Sequence, residues 1–301
     1  MPIRPFRADD AIALAALSRS CARSESDFVL NPLWESERDL FAEFERHGVE
    51  PEEHLWVAEA GDGRVEGCVG FVRRPRAASA GLVCPIVARE ARGHGVGGEL
   101  LRAALAQGAD RLGVKLVSAA IGVRNRAGYS LLSALGFRPT RQHFLMRLEG
   151  KSAKRSPGRP PADRIPGLAL EVARPEDAGA ILELYRACGF EARSDESMHA
   201  ALADGRHAHA VARLGGRVVA FAEIETHWPE RPWVAFVGVE TALRDRGVGS
   251  ALVSWALARL FEAGAESALL LLSPGNRTAL RAYEKAGFRR HRLVDVLEKG
   301  L

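Results

Sequence analysis

Two glycine-rich corners have residue types and spacing that could bind a phosphate. They lie in the stretches ARGHGVGGELL (residues 91–101) and LRDRGVGSALV (residues 243–253), and both contain the pattern Arg-x-x-Gly-x-Gly. Glycine permits a positive φ and lets an anion approach the backbone closely. A helix that begins at such a corner directs free N–H groups and the positive end of its dipole at that anion. A pyrophosphate is therefore the predicted occupant. The alternative is a tight strand-to-helix turn that needs glycine for steric reasons only.

The candidate phosphate-binding residues share a position in these two corners. They are Arg92, Gly93, His94, Gly95, Gly97 and Gly98 in the first copy, and Arg244, Arg246, Gly247, Val248, Gly249 and Ser250 in the second. The first copy also matches the dinucleotide pattern Gly-x-Gly-x-x-Gly, but the second copy has Leu252 in place of the third glycine. Neither copy contains the Gly-Lys-Ser/Thr sequence of a nucleotide-triphosphate loop. The shared pattern therefore indicates a phosphate site of a different kind.

A second motif, an asparagine followed after ten residues by Gly-Phe, comes after each corner. It spans Asn125 to Phe137 in the first copy and Asn276 to Phe288 in the second. The asparagine can cap the N-terminus of a short helix, and the glycine can end that helix in the left-handed conformation. These roles are structural and need no ligand. The informative feature is the order: strand, glycine corner, helix, strand and capped short helix.

The chain repeats one order of elements twice. Each copy opens with an apolar segment and a helix that has acidic residues at its start, and continues with strand-like runs joined by glycine turns. The predicted domains are residues 1–149 and 165–301, joined by a basic, proline-rich linker at 150–164. The first copy has about fifteen extra residues around 26–50 (SDFVLNPLWESERDLFAEFERHGVE). This extra length predicts either a lid over the first domain or an inert insertion.

The composition of the 301 residues is typical of a soluble globular protein, with 47% hydrophobic and 27% charged residues. The first residues lack the apolar core of a signal peptide, so we expect a cytoplasmic protein without a membrane partner. The linker stretch 151–164 has five basic residues and one acidic residue, which equals the whole net charge of +4. The rest of the chain has no basic excess, which argues against nucleic acid as a partner. The four cysteines are too widely spaced for a metal motif, so we expect free thiols and no metal.

The stretch LRDRGVGSALV resembles the acyl-CoA pyrophosphate-binding motif of the GCN5-related N-acetyltransferase (GNAT) superfamily. NRTALRAYEKAGF (residues 276–288) is similar to the final helix motif of that superfamily, and its Asn276 is expected beside the cofactor. The resemblance covers both copies, in a tandem layout similar to that of mycothiol synthases. It implies an α/β fold of two GNAT domains, each with an α+β mixed sheet.

The resemblance implies acetyl-CoA as co-substrate and acetyl transfer to a primary amine by direct attack in a ternary complex. A non-catalytic acyl-CoA-binding sensor or regulatory module is the alternative. The acceptor stays open among small-molecule amines, amino-sugar antibiotics, a thiol-sugar precursor and protein N-termini. A tandem chain can internalise the interface that single-domain relatives form between chains, so we expect a monomeric pseudo-dimer, with a homodimer as the alternative.

The resemblance also assigns roles within the second copy. Main-chain amides from Val237 to Val239 are expected to face the thioester oxygen. Tyr283, seven residues after the motif's asparagine, is at the position of the family's general acid, and its phenol can donate a proton to the departing thiolate. The first copy has Leu132 at that position, and Tyr129 would replace it only if the helix were rotated. We therefore expect a catalytic C-terminal domain and a degenerate N-terminal domain.

The general base is open among three residues of one apolar run, VVAFAEIETHW. Glu223 and Glu225 share one face of the strand, and Glu223 lies deeper in the run. Burial could raise the pKa of a carboxyl group there into a useful range, so Glu223 is the candidate base. One alternative is that both carboxylates are solvated on an outer sheet face. The other is that His227, beside Trp228, acts at an acceptor-site loop.

Overall fold

The computed structural model of the chain describes residues 2–74, 78–153, 165–190 and 194–301. It divides into two compact units: the first contains residues 1–143 and 292–301, and the second contains residues 144–291. Most of the predicted linker, residues 154–164, lies outside the described residues. Among the helices that the structure describes, none combines the length and the hydrophobicity needed to cross a membrane.

The strands are numbered in chain order. They are β1 (Ile3–Pro5), β2 (Leu55–Glu59), β3 (Val65–Arg73), β4 (Ser79–Val87), β5 (Leu116–Gly122), β6 (Arg138–Glu149), β7 (Leu168–Val172), β8 (His207–Leu214), β9 (Arg217–Glu225), β10 (Trp233–Val239), β11 (Ser267–Leu272) and β12 (Arg289–Gly300). The α-helices are α1 (Ala11–Cys21), α2 (Glu37–Arg46), α3 (Pro51–His54), α4 (Val96–Leu112), α5 (Arg126–Ala134), α6 (Gly150–Ala153), α7 (Ala178–Ala187), α8 (Asp195–Ala203), α9 (Val248–Glu262) and α10 (Arg277–Lys285).

The first unit is built on a mixed sheet in the order β1-β2-β3-β4-β5-β12. Antiparallel pairings connect β1 through β4. β4 runs parallel to β5 because α4 carries the chain back between them. β12 pairs antiparallel with β5 over residues 294–300. Helix α4 packs on β2, β3 and β4, and its Leu100, Leu101 and Ala104 are completely buried.

The second unit repeats this arrangement in the order β7-β8-β9-β10-β11-β6. β7 through β10 are antiparallel, β10 and β11 are parallel, and residues 144–149 of β6 pair antiparallel with β11. Alternate side chains of β9 enter different hydrophobic clusters. Ala222 and Ile224 pack in one cluster with α9, whereas Phe221 packs in another with α7. These mixed sheets with flanking helices confirm the predicted α/β fold class.

The last strand of each sheet comes from the other half of the sequence. Residues 292–300 of β12 belong to the first unit, and residues 144–149 of β6 belong to the second. The predicted division at 150–164 therefore describes the repeat in the sequence, whereas the folded units exchange these strand segments. A strand selects its partner through long-range pairing and register, which a local pattern of apolar residues does not encode.

The short helices α5 and α10 begin and end as the repeated motif predicts. The Asn125 side chain accepts a hydrogen bond from the Gly128 N–H at 2.8 Å, and the Asn276 side chain accepts one from the Ala279 N–H at 3.1 Å. The glycine that follows each helix has a positive φ, +88° in the first copy and +97° in the second. These caps fix where the last helix of each copy lies relative to its glycine corner.

Candidate functional site

A cavity of about 1170 Å³ lies in the second unit against the second glycine corner. Ten predicted site residues line it: Val237, Val239, Arg244, Arg246, Gly247, Val248, Gly249, Ser250, Asn276 and Tyr283. The structure thus brings together every second-copy residue expected beside the cofactor, along with the predicted acid. Glu223, the predicted base, is not one of the lining residues.

The corner gives this cavity a rim of backbone N–H groups. Helix α9 begins at Val248, and Gly247 precedes it with a φ of +83°, a left-handed conformation that favours glycine. The first backbone hydrogen bond of the helix is donated by the Ala251 N–H to the Gly247 carbonyl, at 3.1 Å. The preceding N–H groups have no intrahelical acceptor, and the positive end of the helix dipole lies there. The corner therefore has the donor set of an anion site.

Glycine at the second corner position serves packing. A Cβ atom added to Gly249 would lie 3.1 Å from the Val239 side chain, so glycine allows α9 to approach β10 closely. The steric role that the sequence left open is therefore present at Gly249. It coexists with the N–H groups that lack an intrahelical acceptor and does not replace them.

Basic side chains outnumber acidic ones around the cavity. The charged lining residues are Arg244, Arg246, Arg281 and Lys285, against Asp245. Arg244 links the corner to the end of β10, because its Nε donates a hydrogen bond to the Val239 carbonyl at 3.0 Å. Arg246 is exposed. The sequence reasoning missed Arg281 and Lys285, although their spacing of four residues on α10 puts them on one helix face and could have revealed them.

The sheet opens beside this corner. β10 pairs with β9 as far as Val239, with a bulge after Val234. It pairs in parallel with β11 at one position, Trp233↔Leu269. Beyond that position β10 and β11 separate, and the separated part of β10 contributes Val237 and Val239 to the cavity wall. An extended ligand arm could follow this opening from the corner into the sheet.

Tyr283 is the predicted acid, and it lines the cavity from α10. Its ring packs edge-on against Phe288, with the ring centroids 5.6 Å apart. Burial raises the pKa of Tyr283 to about 12, because the charged phenolate loses its solvation there. The hydroxyl therefore stays protonated at neutral pH and can donate. In the first copy, Leu132 is buried in the core and Tyr129 is 37% exposed.

Glu223 lies in a buried polar group on the face of β9 that carries Phe221. Its carboxylate accepts a hydrogen bond from the Tyr185 hydroxyl, and the His209 Nε2 atom lies 3.7 Å from one of its oxygens. Glu223 is completely buried and Glu225 is 6% exposed. The alternative of two solvated carboxylates on an outer face is therefore wrong. The reason is that α7 covers this face, which the strand pattern alone does not reveal.

The three base candidates lie in one cluster where β8 begins and β9 ends. His207 pairs across the strands with Glu225, as His209 does with Glu223. The His227 ring lies 5.2 Å from the His207 ring. Ligand atoms of His207, Glu223 and Glu225 lie within 4.8 Å of one another, so they could hold a metal ion or pass protons. The expectation of no metal stays a prediction.

The first glycine corner has the same backbone form as the second. Gly93 and Gly95 have φ values of +81° and +83°, and α4 begins directly after them. The Arg92 Nε donates to the Val87 carbonyl at 3.1 Å, as Arg244 does to Val239. The other predicted residues of this corner are His94, Gly97 and Gly98. Their role in cofactor binding stays a prediction.

Comparison with protein families gives one match in each copy. The sequence profile described as "Acetyltransferase (GNAT) family" matches residues 20–137 and residues 178–288. A stretch of 74 residues is 38% identical to the mycothiol acetyltransferase of Corynebacterium glutamicum, and 34% identical to that of Corynebacterium efficiens over the same length. In both cases the stretch covers 25% of this chain and 25% of the relative.

Solved structures resemble the chain over nearly its whole length. A GCN5-related N-acetyltransferase from Sphaerobacter thermophilus has a TM-score of 0.80 and 21% identity, covering 99% of this chain and 95% of that one. A tandem GNAT protein from the clavulanic acid biosynthesis pathway has a TM-score of 0.71 and 17% identity, covering 99% and 98%. At these identities the likeness shows the fold, in its tandem form.

Proposed function

The chain belongs to the acetyltransferase (GNAT) family, and from this premise we propose that its second unit transfers the acetyl group of acetyl-CoA to a primary amine. The observation that carries the proposal is the convergence of three features on one cavity: the glycine corner, the opening between β10 and β11, and Tyr283. Each feature is separately compatible with a structural role. Their convergence gives the cavity an anion site, a channel for an extended arm and a proton donor.

The residues around the cavity fit an acyl-CoA. The free N–H groups at the start of α9, from Val248 to Ser250, would hold the pyrophosphate, with Arg246 adding positive charge. Arg281 and Lys285 extend the basic wall along α10. The opening in the sheet leads from this corner past Val237 and Val239, the second-copy residues expected along the acyl arm.

Acetyl transfer needs stabilisation of the oxyanion that forms when the amine attacks the thioester. We assign this role to main-chain N–H groups of β10 between Val237 and Val239, where β10 no longer pairs with β11. Such donors are held in place by the strand, so they need no reorganisation during the reaction. Acetyl-CoA supplies the activated acyl group, and direct attack needs no covalent enzyme intermediate.

Two proton transfers complete the reaction. Tyr283 gives a proton to the CoA thiolate as it leaves, a role that requires a neutral phenol. Glu223 takes the proton of the attacking amine. Because neither Glu223 nor its hydrogen-bond partner Tyr185 lines the cavity, Glu223 would act through intervening water. Taking the proton neutralises the Glu223 carboxylate, and the His209 Nε2 atom, 3.7 Å from one of its oxygens, is then in position to receive that proton.

The acceptor is proposed only as a class, a small molecule or a peptide with a primary amine. The relatives that match 74 residues of this chain are mycothiol acetyltransferases by name. The amine of a thiol-sugar precursor is therefore the first acceptor to test, ahead of amino-sugar antibiotics and peptide N-termini. The second candidate function is acyl-CoA binding without catalysis, which the glycine corner supports equally well.

The test is an incubation of the full chain with acetyl-CoA and each acceptor class, followed by mass spectrometry of the acceptor and measurement of free CoA. An acetylated acceptor, formed together with an equal amount of free CoA, supports the proposal. An incubation without amine measures background hydrolysis. Acetyl-CoA binding with no acetylation of any acceptor would support the binding module, and absence of acetyl-CoA binding would contradict both functions.

A further inference from the structure

The first unit has its own strand separation, and the chain itself fills it. β4 pairs with β5 from Ser79↔Leu116 to Gly81↔Ser118. Beyond these pairs, the residues 28–31 (FVLN), here called the inserted segment, hydrogen-bond to both strands. They belong to the extra length of the first copy, for which the sequence left open a lid or an inert insertion.

On the β5 side the inserted segment behaves as an added strand. The Leu30 N–H donates to the Ala120 carbonyl at 2.9 Å, and the Gly122 N–H donates to the Phe28 carbonyl at 2.9 Å. These are the backbone groups that the separation from β4 leaves available. In the second unit the corresponding opening between β10 and β11 borders the cavity instead.

On the β4 side the donor proposed for catalysis at Val237 has no counterpart. The Cys84 N–H donates to the Asn31 carbonyl at 2.8 Å, so the inserted segment uses it. The next residue is Pro85, which has no N–H. Pro85 lies 152 residues before Val237, the same spacing that separates the two corner arginines. The first copy therefore lacks the amide that we assign to oxyanion stabilisation at Val237.

Side chains from both motifs of the first copy, the corner and the capped short helix, also bind the inserted segment or its neighbour Asp27. Asn125 donates from its side chain to the Phe28 carbonyl at 3.2 Å, and Phe28 is 2% exposed. Arg92 forms an ion pair with Asp27 at 3.3 Å. The equivalent asparagine of the second copy, Asn276, lines the cavity. In the first copy, Asn125 and Arg92 therefore interact with residues of the chain itself, Phe28 and Asp27.

We infer that the inserted segment occupies the place of an acyl arm in the first copy, so that this copy binds no acyl-CoA and each chain has one acyl-CoA site. The inference rests on the proposed function of the second unit. It replaces the expectation of cofactor binding for the whole first corner: Arg92, Gly93, His94, Gly95, Gly97 and Gly98. The first copy keeps the corner geometry but has an internal strand where a ligand would lie.

The first test is calorimetric titration of acetyl-CoA into the full chain. We expect one equivalent to bind, and Gly247→Trp to remove that binding because a large side chain at this left-handed position would enter the cavity. Gly264→Trp is the matched control: Gly264 also has a positive φ and lies in the second unit, outside the cavity lining. The control should still bind one equivalent. Two equivalents in the unmodified chain, or one remaining in Gly247→Trp, would overturn the inference.

A second measurement tests whether the inserted segment stays hydrogen-bonded to β4 and β5, and it does not rely on acetyl-CoA affinity. Hydrogen exchange should be slow at the Leu30, Cys84 and Gly122 amides in the ligand-free chain, and saturating acetyl-CoA should leave it unchanged. Fast exchange at these amides, or a change on adding acetyl-CoA, would overturn the inference. If the chain binds no acetyl-CoA at all, the proposed function fails, and the exchange rates still decide whether the segment fills the first copy.

Discussion

Replacing Tyr283 with phenylalanine removes a single hydroxyl from the cavity and keeps the aromatic ring. The ring is held by its edge-on contact with Phe288, 5.6 Å between centroids, and phenylalanine can make the same contact. The cavity wall at this position therefore keeps its shape. Any loss of rate would come from the missing proton donor.

The size of the effect follows from the role of the hydroxyl. A positioned general acid or base contributes a factor of about 10² to 10⁴ to a rate. We expect kcat to fall about a hundredfold in Tyr283→Phe, which corresponds to about 2.7 kcal/mol of lost transition-state stabilisation. The dissociation constant for acetyl-CoA should change by less than about twofold, because binding depends on the corner of α9.

The pH dependence gives an independent check on the assignment. Burial raises the pKa of Tyr283 to about 12, so the phenol stays protonated as pH rises through the neutral and mildly basic range. Loss of the acid by ionisation would begin only as pH approaches that value. The wild-type kcat profile should therefore show no decline assignable to Tyr283 below about pH 11.

The assay measures release of CoA in the presence of an acceptor that the chain acetylates, and calorimetry measures acetyl-CoA binding. Tyr129→Phe is the matched control, because Tyr129 lies in the corresponding helix of the first copy. It should leave kcat unchanged. A Tyr283→Phe enzyme that retains its full kcat would refute the assigned acid, and one that loses acetyl-CoA binding would show that the hydroxyl serves binding.

Three further predictions concern Glu223, Asn276 and Asp204. Glu223→Gln keeps the shape of the side chain but cannot take a proton, so kcat should fall about a hundredfold with acetyl-CoA affinity retained; an equal loss in Glu225→Gln alone would move the base to that residue. Asn276→Ala should lower the free energy of unfolding by about 1 kcal/mol through loss of the α10 cap. Asn276→Asp should restore stability, because aspartate can also cap the helix. It should weaken acetyl-CoA binding, because it adds negative charge to the cavity wall. Unchanged acetyl-CoA affinity in the aspartate variant would show that this wall does not contact phosphate. The hydrogen bond from Arg206 lowers the pKa of Asp204 to about 2, so this carboxylate stabilises the fold above pH 4 and loses that effect as pH falls through about 2. Asp204→Asn should therefore lower the unfolding free energy by about 1 kcal/mol at pH 7 and by less at pH 2. Chemical denaturation of both proteins at the two pH values measures this. The same difference at both pH values would exclude the ion pair with Arg206 as the cause.

Local features of the protein could be predicted from its sequence, because their physical requirements lie within a few residues. A left-handed turn before a helix requires glycine, which the corner at Gly247 supplies. A short helix needs a cap, which Asn125 and Asn276 provide. The presence of Tyr283 in one copy and Leu132 in the other can also be seen in the sequence alone. The repeated order of these features was sufficient to indicate the family and the α/β fold class.

The tertiary structure decided which residues meet over long distances. It placed residues 28–31 in the strand separation of the first copy, and it put residues 292–300 into the sheet of the first unit. It also buried Glu223 against Tyr185 and His209. Strand pairing and burial depend on segments far apart in the chain, whose register and packing carry no signal in the local pattern. The sequence alone thus determined the chemistry available to each copy. The tertiary contacts decided which residues line the cavity of the second unit and which backbone groups the chain itself bonds in the first.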